Sequence, residues 1–226
     1  MRFEEIAESH ATWWIDFLGE HNHVGGADAT RWLMERSGLK HGERMLDAGG
    51  FVGAAGRLVA ARTGARVVVT DAQPEFLRAG RAMEGGRAVE WMAAANERLP
   101  FGFGAFRSVW CLDTAVVPKE LTRVAAPGAT LCLGTEAPSD GRGGLDAFFE
   151  EWEGLGWELR AHRPMSSEAT QTWRAAEAEL VRKRPYWEDR YGKRDYLGQL
   201  DLVAHLVHAY ERGEMGHGLF VFERVR

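Results

Sequence analysis

The sequence predicts an α/β protein: a doubly wound, mostly parallel sheet of seven strands, covered by helices on both faces, with a helical cap inserted before the last strand. Three observations carry this. From Arg44 to Gly134 short apolar runs alternate with helical stretches, the pattern of strand, crossover helix and parallel strand. The second run, Arg66-Val67-Val68-Val69-Thr70, is continuous and β-branched, as in a strand buried on both faces. The first and second strands each run into an aspartate, Asp47 and Asp71, and a glycine-bearing turn follows the first.

Apolar residues at Phe3, Ile6, Ala7, Trp14, Phe17 and Leu18 predict a helix over about 3–19. The segment 21–26 breaks that periodicity, and Asp28 is read as the cap of a second helix running to about Ser37, where Gly38 ends it. A strand at 44–47 leads into the turn Gly49-Gly50-Phe51-Val52-Gly53 and a helix over 54–62. After the strand at 66–70 come a helix over 74–83, strands at about 88–92 and 108–112, and a helix near 119–124. Pro127-Gly128 then opens a strand at 130–134. Further on, 145–155 reads as helix, 157–162 as strand, 168–212 as helical and 218–223 as the closing strand. The expected organisation is one domain over 1–226: N-terminal helices over about 1–40, a core over 41–136, and C-terminal strands over 137–226 with the cap at about 165–213. A cap in that place stands over the carboxyl ends of the strands, where open sheets bind ligands.

Composition narrows the function. With 226 residues, 45% hydrophobic and 27% charged, the chain reads as a soluble globular protein, and no apolar run approaches the eighteen residues of a membrane span. Three glutamates among the first eight residues do not suit a signal peptide, so the expected location is cytoplasmic. The net charge of -5 disfavours nucleic acid as a partner, because that affinity comes mainly from clustered lysine and arginine. Six basic residues against two acidic between Val181 and Arg194 read as a solvated helix face. Cys111 and Cys132 lie in apolar runs without a CxxC pattern, and His205 and His208 lack a carboxylate at ligand spacing, so no metal site is expected. Nine tryptophans imply core anchors. No GxSxG elbow, Walker loop or HExxH motif occurs.

The chemistry-bearing pattern is the pair of acid-ended strands. A nicotinamide or flavin site brings a pyrophosphate to the first turn through GxGxxG, and a carboxylate just before it repels that anion. Here the spacing is Gly50-x-x-Gly53-x-x-Gly56, without the close first glycine pair, and Asp47 stands at the strand end. The matching ligand is cationic near the first strand and carries a diol near the second. S-adenosylmethionine meets both demands through its ammonium and its ribose hydroxyls.

The run GERMLDAGGFVGAAGRLVAARTGARVVVTDAQPEFLRAG resembles the first two motifs of the class I S-adenosylmethionine-dependent methyltransferases, whose sheet is Rossmann-like. ERLPFGFGAFRSVWCLDT is similar to that family's third and fourth strand region, and ELTRVAAPGATLCLGTE to its helix, Pro-Gly turn and fifth strand. HNHVGGADAT resembles the Gly-Gly-x-x-x-Thr segment that closes over the methionine end of the cofactor in small-molecule members. The resemblance covers about 25–136 and the last strand. It implies that Gly25, Gly26, Thr30, Asp47, Gly49, Gly50 and Gly53 hold the methionine end and that Asp71 binds the ribose. Ala72, Asn96 and Leu99 then surround the adenine, and Cys111 is a further cofactor-binding candidate. The chain departs from the family at three places. Phe51 stands where the second glycine belongs, or one residue is lost and Gly50 takes that role; Ala95 replaces the acid that meets the adenine amino group; and Arg107 follows Phe106. A phenyl group at the turn would crowd the cofactor's approach to the backbone.

Methyl transfer needs a general base only when the acceptor must lose a proton, and histidine suits that role near neutral pH. His21 and His23 are the candidates, set against the plainer role of hydrogen-bonded loop histidines. Trp14, Trp173 and Tyr186 are candidates for the acceptor pocket, set against packing of the cap. The leading expectation is methyl transfer from S-adenosylmethionine to a small molecule. The alternatives are a repurposed or non-catalytic member of the fold and a nicotinamide oxidoreductase. The oligomeric state stays open, a homodimer included.

Overall fold

The computed structural model describes residues 11–138 and 144–225. Its helices are α1 (Ala11–Leu18), α2 (Gly26–Arg36), α3 (Ala54–Thr63), α4 (Pro74–Ala82), α5 (Pro118–Val124), α6 (Gly144–Gly154), α7 (Ser166–Arg182), α8 (Arg184–Tyr191) and α9 (Lys193–Glu211). The strands are β1 (Arg44–Ala48), β2 (Arg66–Asp71), β3 (Glu90–Ala93), β4 (Phe106–Leu112), β5 (Ala125–Ala137), β6 (Trp157–Pro164) and β7 (Gly216–Arg224). They form one sheet in the order β3-β2-β1-β4-β5-β7-β6. Pairing is parallel from β3 through β5, and β7 runs antiparallel to both β5 and β6. The order reverses between β1 and β4, the switch point at which doubly wound sheets open a crevice.

Alternation along the strands builds two cores. Met45, Val67, Val69, Trp110, Cys132 and Val221 pack beneath Leu33 of α2, Val59 of α3, Ala169 of α7 and Tyr210 of α9. On the other face Leu46, Val68, Val109 and Leu131 meet Leu121 and Val124 of α5 and Trp152 of α6. A third cluster joins Trp13 and Trp14 of α1 to Phe51, Phe76 and the cap helices. There Trp13 lies 4.9 Å from Trp187 and 4.3 Å from Tyr191, ring centre to ring centre, and Tyr191 donates to Asp16 Oδ2 at 2.6 Å. Six of the nine tryptophans are buried, in line with their expected role as anchors.

Several boundaries differ from the sequence reading. The first helix is described only from Ala11, so its expected first turns lie outside the described residues. The second helix starts two residues before Asp28: Gly25, with φ +79°, occupies the N-cap, and Asp28 pairs with Arg31 within the first turn. Pro127-Gly128 lies inside β5 rather than before it, because the strand begins at Ala125 and its register with β4 shifts between Phe106 and Ser108. The long cap stretch is three helices, broken at Lys183 and at Gly192, whose φ is +86°. Its basic run is tied to neighbouring acids: Lys183 to Glu179 at 2.5 Å, Arg184 to Glu188 at 2.9 Å, and Arg190 to Asp16 at 2.8 Å. Among the described residues no helix is long and apolar enough to cross a membrane.

Candidate functional site

β1 delivers Asp47 to the crevice, where it is 2% exposed. Its Oδ2 accepts the N–H of Gly56, in the first turn of α3, at 3.0 Å. The glycines make this approach possible. A Cβ on Gly50 would lie 2.8 Å from Asp47 Cγ, Asp47 Oδ2 and Val69 Cγ1, and one on Gly56 would lie 2.9 Å from Asp47 Oδ2. Gly49 and Gly53 have φ of +66° and +67°, and a Cβ on Gly53 would meet Trp91 Cη2 at 2.5 Å. The backbone is thus pressed against one carboxylate. Burial, with Asp71 nearby, pushes the Asp47 carboxyl up to about 7 despite the Gly56 N–H.

Asp71 at the end of β2 is partly buried, and both its oxygens take backbone N–H groups: Phe51 N–H on Oδ2 at 3.0 Å and Gln73 N–H on Oδ1 at 2.8 Å. Desolvation raises its carboxyl above the ordinary range. Phe51 is one of two non-glycine residues in the left-handed region among those described, with φ 56°. That conformation directs the ring onto Phe76 at 4.5 Å, in the aromatic cluster beneath the cap, while the N–H still reaches Asp71. Phe51→Gly is expected to destabilise the chain by about 2–3 kcal/mol in urea unfolding, the loss of a buried ring less about 1–2 kcal/mol of relieved backbone strain. Cofactor affinity by calorimetry should change less than about threefold; a larger change would place the ring in the cofactor's path.

On the other side of the crevice Asn96 is 5% exposed; its Nδ2 donates to Ala115 O at 2.9 Å, and its buried Oδ1 carries no hydrogen bond. Cys111 lies beneath it, fully buried, and burial raises its thiol far above the usual range. Leu99 is buried and held by Glu120 through its N–H at 2.7 Å. Ala72 is exposed beyond the end of β2.

The loop before α2 reaches the carboxyl end of β4. Val24 N–H donates to Asp113 Oδ2 at 2.7 Å, tying the loop to the end of β4. His23 Nε2 lies 2.9 Å from Gly26 O and 3.0 Å from Thr30 Oγ1, so the hydrogen bonds of this ring organise the Gly25-Gly26 corner. A Cβ on Gly25 would meet Met165 Cε at 2.7 Å, so cap and loop share that corner. Burial lowers His23 to about 4, which makes it a weaker proton acceptor than a histidine titrating near neutrality. His21, 5.6 Å away ring to ring, is also lowered by burial, and its Nδ1 has no hydrogen bond.

Of the pocket candidates, Trp14 is buried in the aromatic cluster and Trp173 is partly buried between that cluster and the core under α2. Tyr186 is 48% exposed, edge-on to Trp187 at 5.0 Å. The structure also brings in residues that sequence reasoning did not single out: Asp113, Glu136, Tyr210 and His217. Asp113 is the other left-handed non-glycine residue, with φ 49°, and its Oδ1 lies 2.6 Å from His217 Nε2. The signal was present in Val-Trp-Cys-Leu-Asp, an apolar run stopped by an acid as at Asp47 and Asp71.

No family model matches the chain. Over 102 residues, 44% of its length, it is 38% identical to an uncharacterized protein of Mycobacterium bovis, and over 108 residues 33% identical to one of Mycobacterium tuberculosis. The match spans only 37% and 39% of those proteins. Among solved structures it is similar to a Galdieria sulphuraria protein assigned as a sarcosine dimethylglycine methyltransferase, with TM-score 0.86, 14% identity, and 97% and 98% of the two chains covered. The cyclopropane synthase MmaA2 of Mycobacterium tuberculosis gives TM-score 0.79, 13% identity and 98% of each chain. The [4+2]-cyclase SpnF gives TM-score 0.74, 19% identity, and 86% and 79%.

Proposed function

The chain has the fold of the class I S-adenosylmethionine-dependent methyltransferases, and from that premise we propose that it binds S-adenosylmethionine at the ends of β1 and β2 and transfers its methyl group to a small molecule. The observation that carries the reading is Asp47, a buried carboxylate with one N–H donor and a proton affinity raised by burial. The cofactor's ammonium supplies that cation. Asn96 Oδ1, buried and without a hydrogen bond, suits the adenine amino group in place of the acid absent at Ala95. Asp71 keeps lone pairs on both oxygens for ribose hydroxyls while Phe51 and Gln73 hold it in place.

The bound cofactor supplies an electrophilic methyl carbon; the chain's residues orient it and exclude water. Asp47 holds the amino-acid end, Asp71 fixes the sugar, and the His23-Gly26-Thr30 corner, latched by Val24 to Asp113, covers the site. Titration calorimetry with S-adenosylmethionine is the direct test, and absence of heat at millimolar cofactor would reject the proposal.

The pH dependence follows from Asp47. With its carboxyl near 7 in the free chain, an ammonium-bearing ligand favours the ionised form, so affinity rises with pH up to about 7 and falls towards tenfold per unit below it. Above about 8 the ligand's own α-amino group loses its proton. Calorimetry from pH 5.5 to 9 should therefore give a maximum between these values. A flat profile would show that Asp47 does not meet the ammonium.

A second reading is a member of this fold that binds the cofactor without methyl transfer. Likeness in fold to a [4+2]-cyclase is compatible with it. One methylated product from an acceptor screen by mass spectrometry decides for the first.

A further inference from the structure

We propose that the ends of β4, β5 and β7 form the acceptor site, and that Asp113, Glu136, Tyr210 and His217 select an acceptor bearing an amine. The inference rests on the methyltransferase reading and names the substrate class of its second half-site.

Topology brings these four groups together. Glu136 of β5 and His217 of β7 are direct partners in an antiparallel pair, which puts their side chains on one face. Asp113, just past β4, gives its N–H to Gly134 O at 2.7 Å, which sets its carboxylate beside that pair, 2.6 Å from His217 Nε2. Tyr210, in the last turn of α9, is 7% exposed and belongs to the core on the same face of the sheet. Burial raises its proton affinity, and the carboxylates of Glu136 and Asp113 add to that effect. His217 is 4% exposed, with Nδ1 also unpartnered.

The charges do not balance within the cluster. The ionisable groups acting on Glu136 are Asp113 and His217, and those acting on Tyr210 are Glu136 and Asp113; no lysine or arginine is among them. Asp113 already accepts Val24 N–H and faces His217, whereas the Glu136 carboxylate, exposed at the rim, makes no hydrogen bond or ion pair among the described residues. No group of three or more His, Cys, Asp or Glu among the described residues has the arrangement of a metal site. An ammonium carries several N–H donors and one positive charge, matching a carboxylate and a phenol oxygen; a neutral acceptor offers the carboxylate no opposite charge.

The same cluster handles the proton. A bound ammonium gives one proton to Glu136, whose carboxyl desolvation and Asp113 hold above its ordinary range. The freed nitrogen pair then forms the bond to the methyl carbon as the carbon–sulfur bond breaks, leaving its electron pair on sulfur. Positive charge passes from the sulfonium to the methylated nitrogen.

The test uses the full chain with S-adenosylhomocysteine at pH 7.5 and two matched pairs: 2-phenylethylamine against 2-phenylethanol, and N,N-dimethylethanolamine against 3-methylbutan-1-ol. Dissociation constants come from ligand-observed NMR. Each amine should bind at least about tenfold tighter than its uncharged partner, as expected for a charge-assisted hydrogen bond. Glu136→Gln and Tyr210→Phe should each cut the preference to about threefold or less, with S-adenosylhomocysteine heats unchanged as the check on folding. Equal binding of amine and alcohol, no binding of either, or a preference surviving both substitutions overturns the inference. Calorimetry on the same samples separates the two claims: amine preference without S-adenosylhomocysteine binding would remove the cofactor reading and leave the amine site standing.

Discussion

Asp47→Asn is expected to make the free chain more stable and, in the same molecule, to weaken cofactor binding strongly. The folded state holds the Asp47 carboxyl near 7 against an ordinary 3.8, so the fold binds the proton more tightly than the unfolded chain does. A group raised in this way lowers stability as pH climbs from about 4 through 7, after which the loss is complete. Each unit corresponds to about 1.4 kcal/mol, so above pH 7 the ionised Asp47 costs the fold a few kcal/mol. Asparagine keeps an oxygen for the Gly56 N–H and carries no charge to bury. Urea unfolding at pH 8 should therefore show a higher midpoint for Asp47→Asn, with the gap closing as pH falls towards 4. Calorimetry should show the affinity for S-adenosylmethionine reduced by at least about a hundredfold, the loss of a charge-assisted contact in a desolvated site. An unchanged affinity would mean that the ammonium, and with it the assigned orientation of the cofactor, belongs elsewhere.

Gly50→Ala should cost both stability and binding. The new methyl would stand 2.8 Å from two atoms of Asp47 and from Val69 Cγ1, and Gly50 N–H is already committed to Thr70 O at 2.8 Å, so the turn has little freedom to withdraw. Overpacking of this kind costs about 1–3 kcal/mol. Because the atoms displaced are those of the Asp47 carboxylate, cofactor affinity should drop at least about tenfold. Gly102→Ala is the control: a Cβ there meets nothing within 4 Å, so both readouts should stay at the parent values. Equal behaviour of the two variants would show that the turn is more pliable than its contacts indicate.

Much of the scaffold was legible in the chain because its signals are local. Arg66 to Thr70 reads as a buried parallel strand from its own side chains, and Asp47 and Asp71 mark strand ends because a carboxylate interrupts an apolar run. Less was legible where tertiary contacts decide. Asp28 has the chemistry of a cap, but the left-handed Gly25, pressed against Met165 of the cap region, starts α2 instead. Phe51 reads as an obstruction only while its φ is unknown; once the turn bends left-handed, ring and N–H point to different partners.

The sequence by itself determined the order of strands and helices and the two acidic strand ends, since these depend on side-chain periodicity and on charge. Only the tertiary structure decided that Asp113, Glu136, Tyr210 and His217 meet. They come from four separate elements, and no short-range pattern encodes their approach; β7 entering the sheet antiparallel between β5 and β6 sets His217 opposite Glu136 and within reach of Asp113. Proximity across a hundred residues is a property of packing, and the chemistry of this half of the crevice arises there.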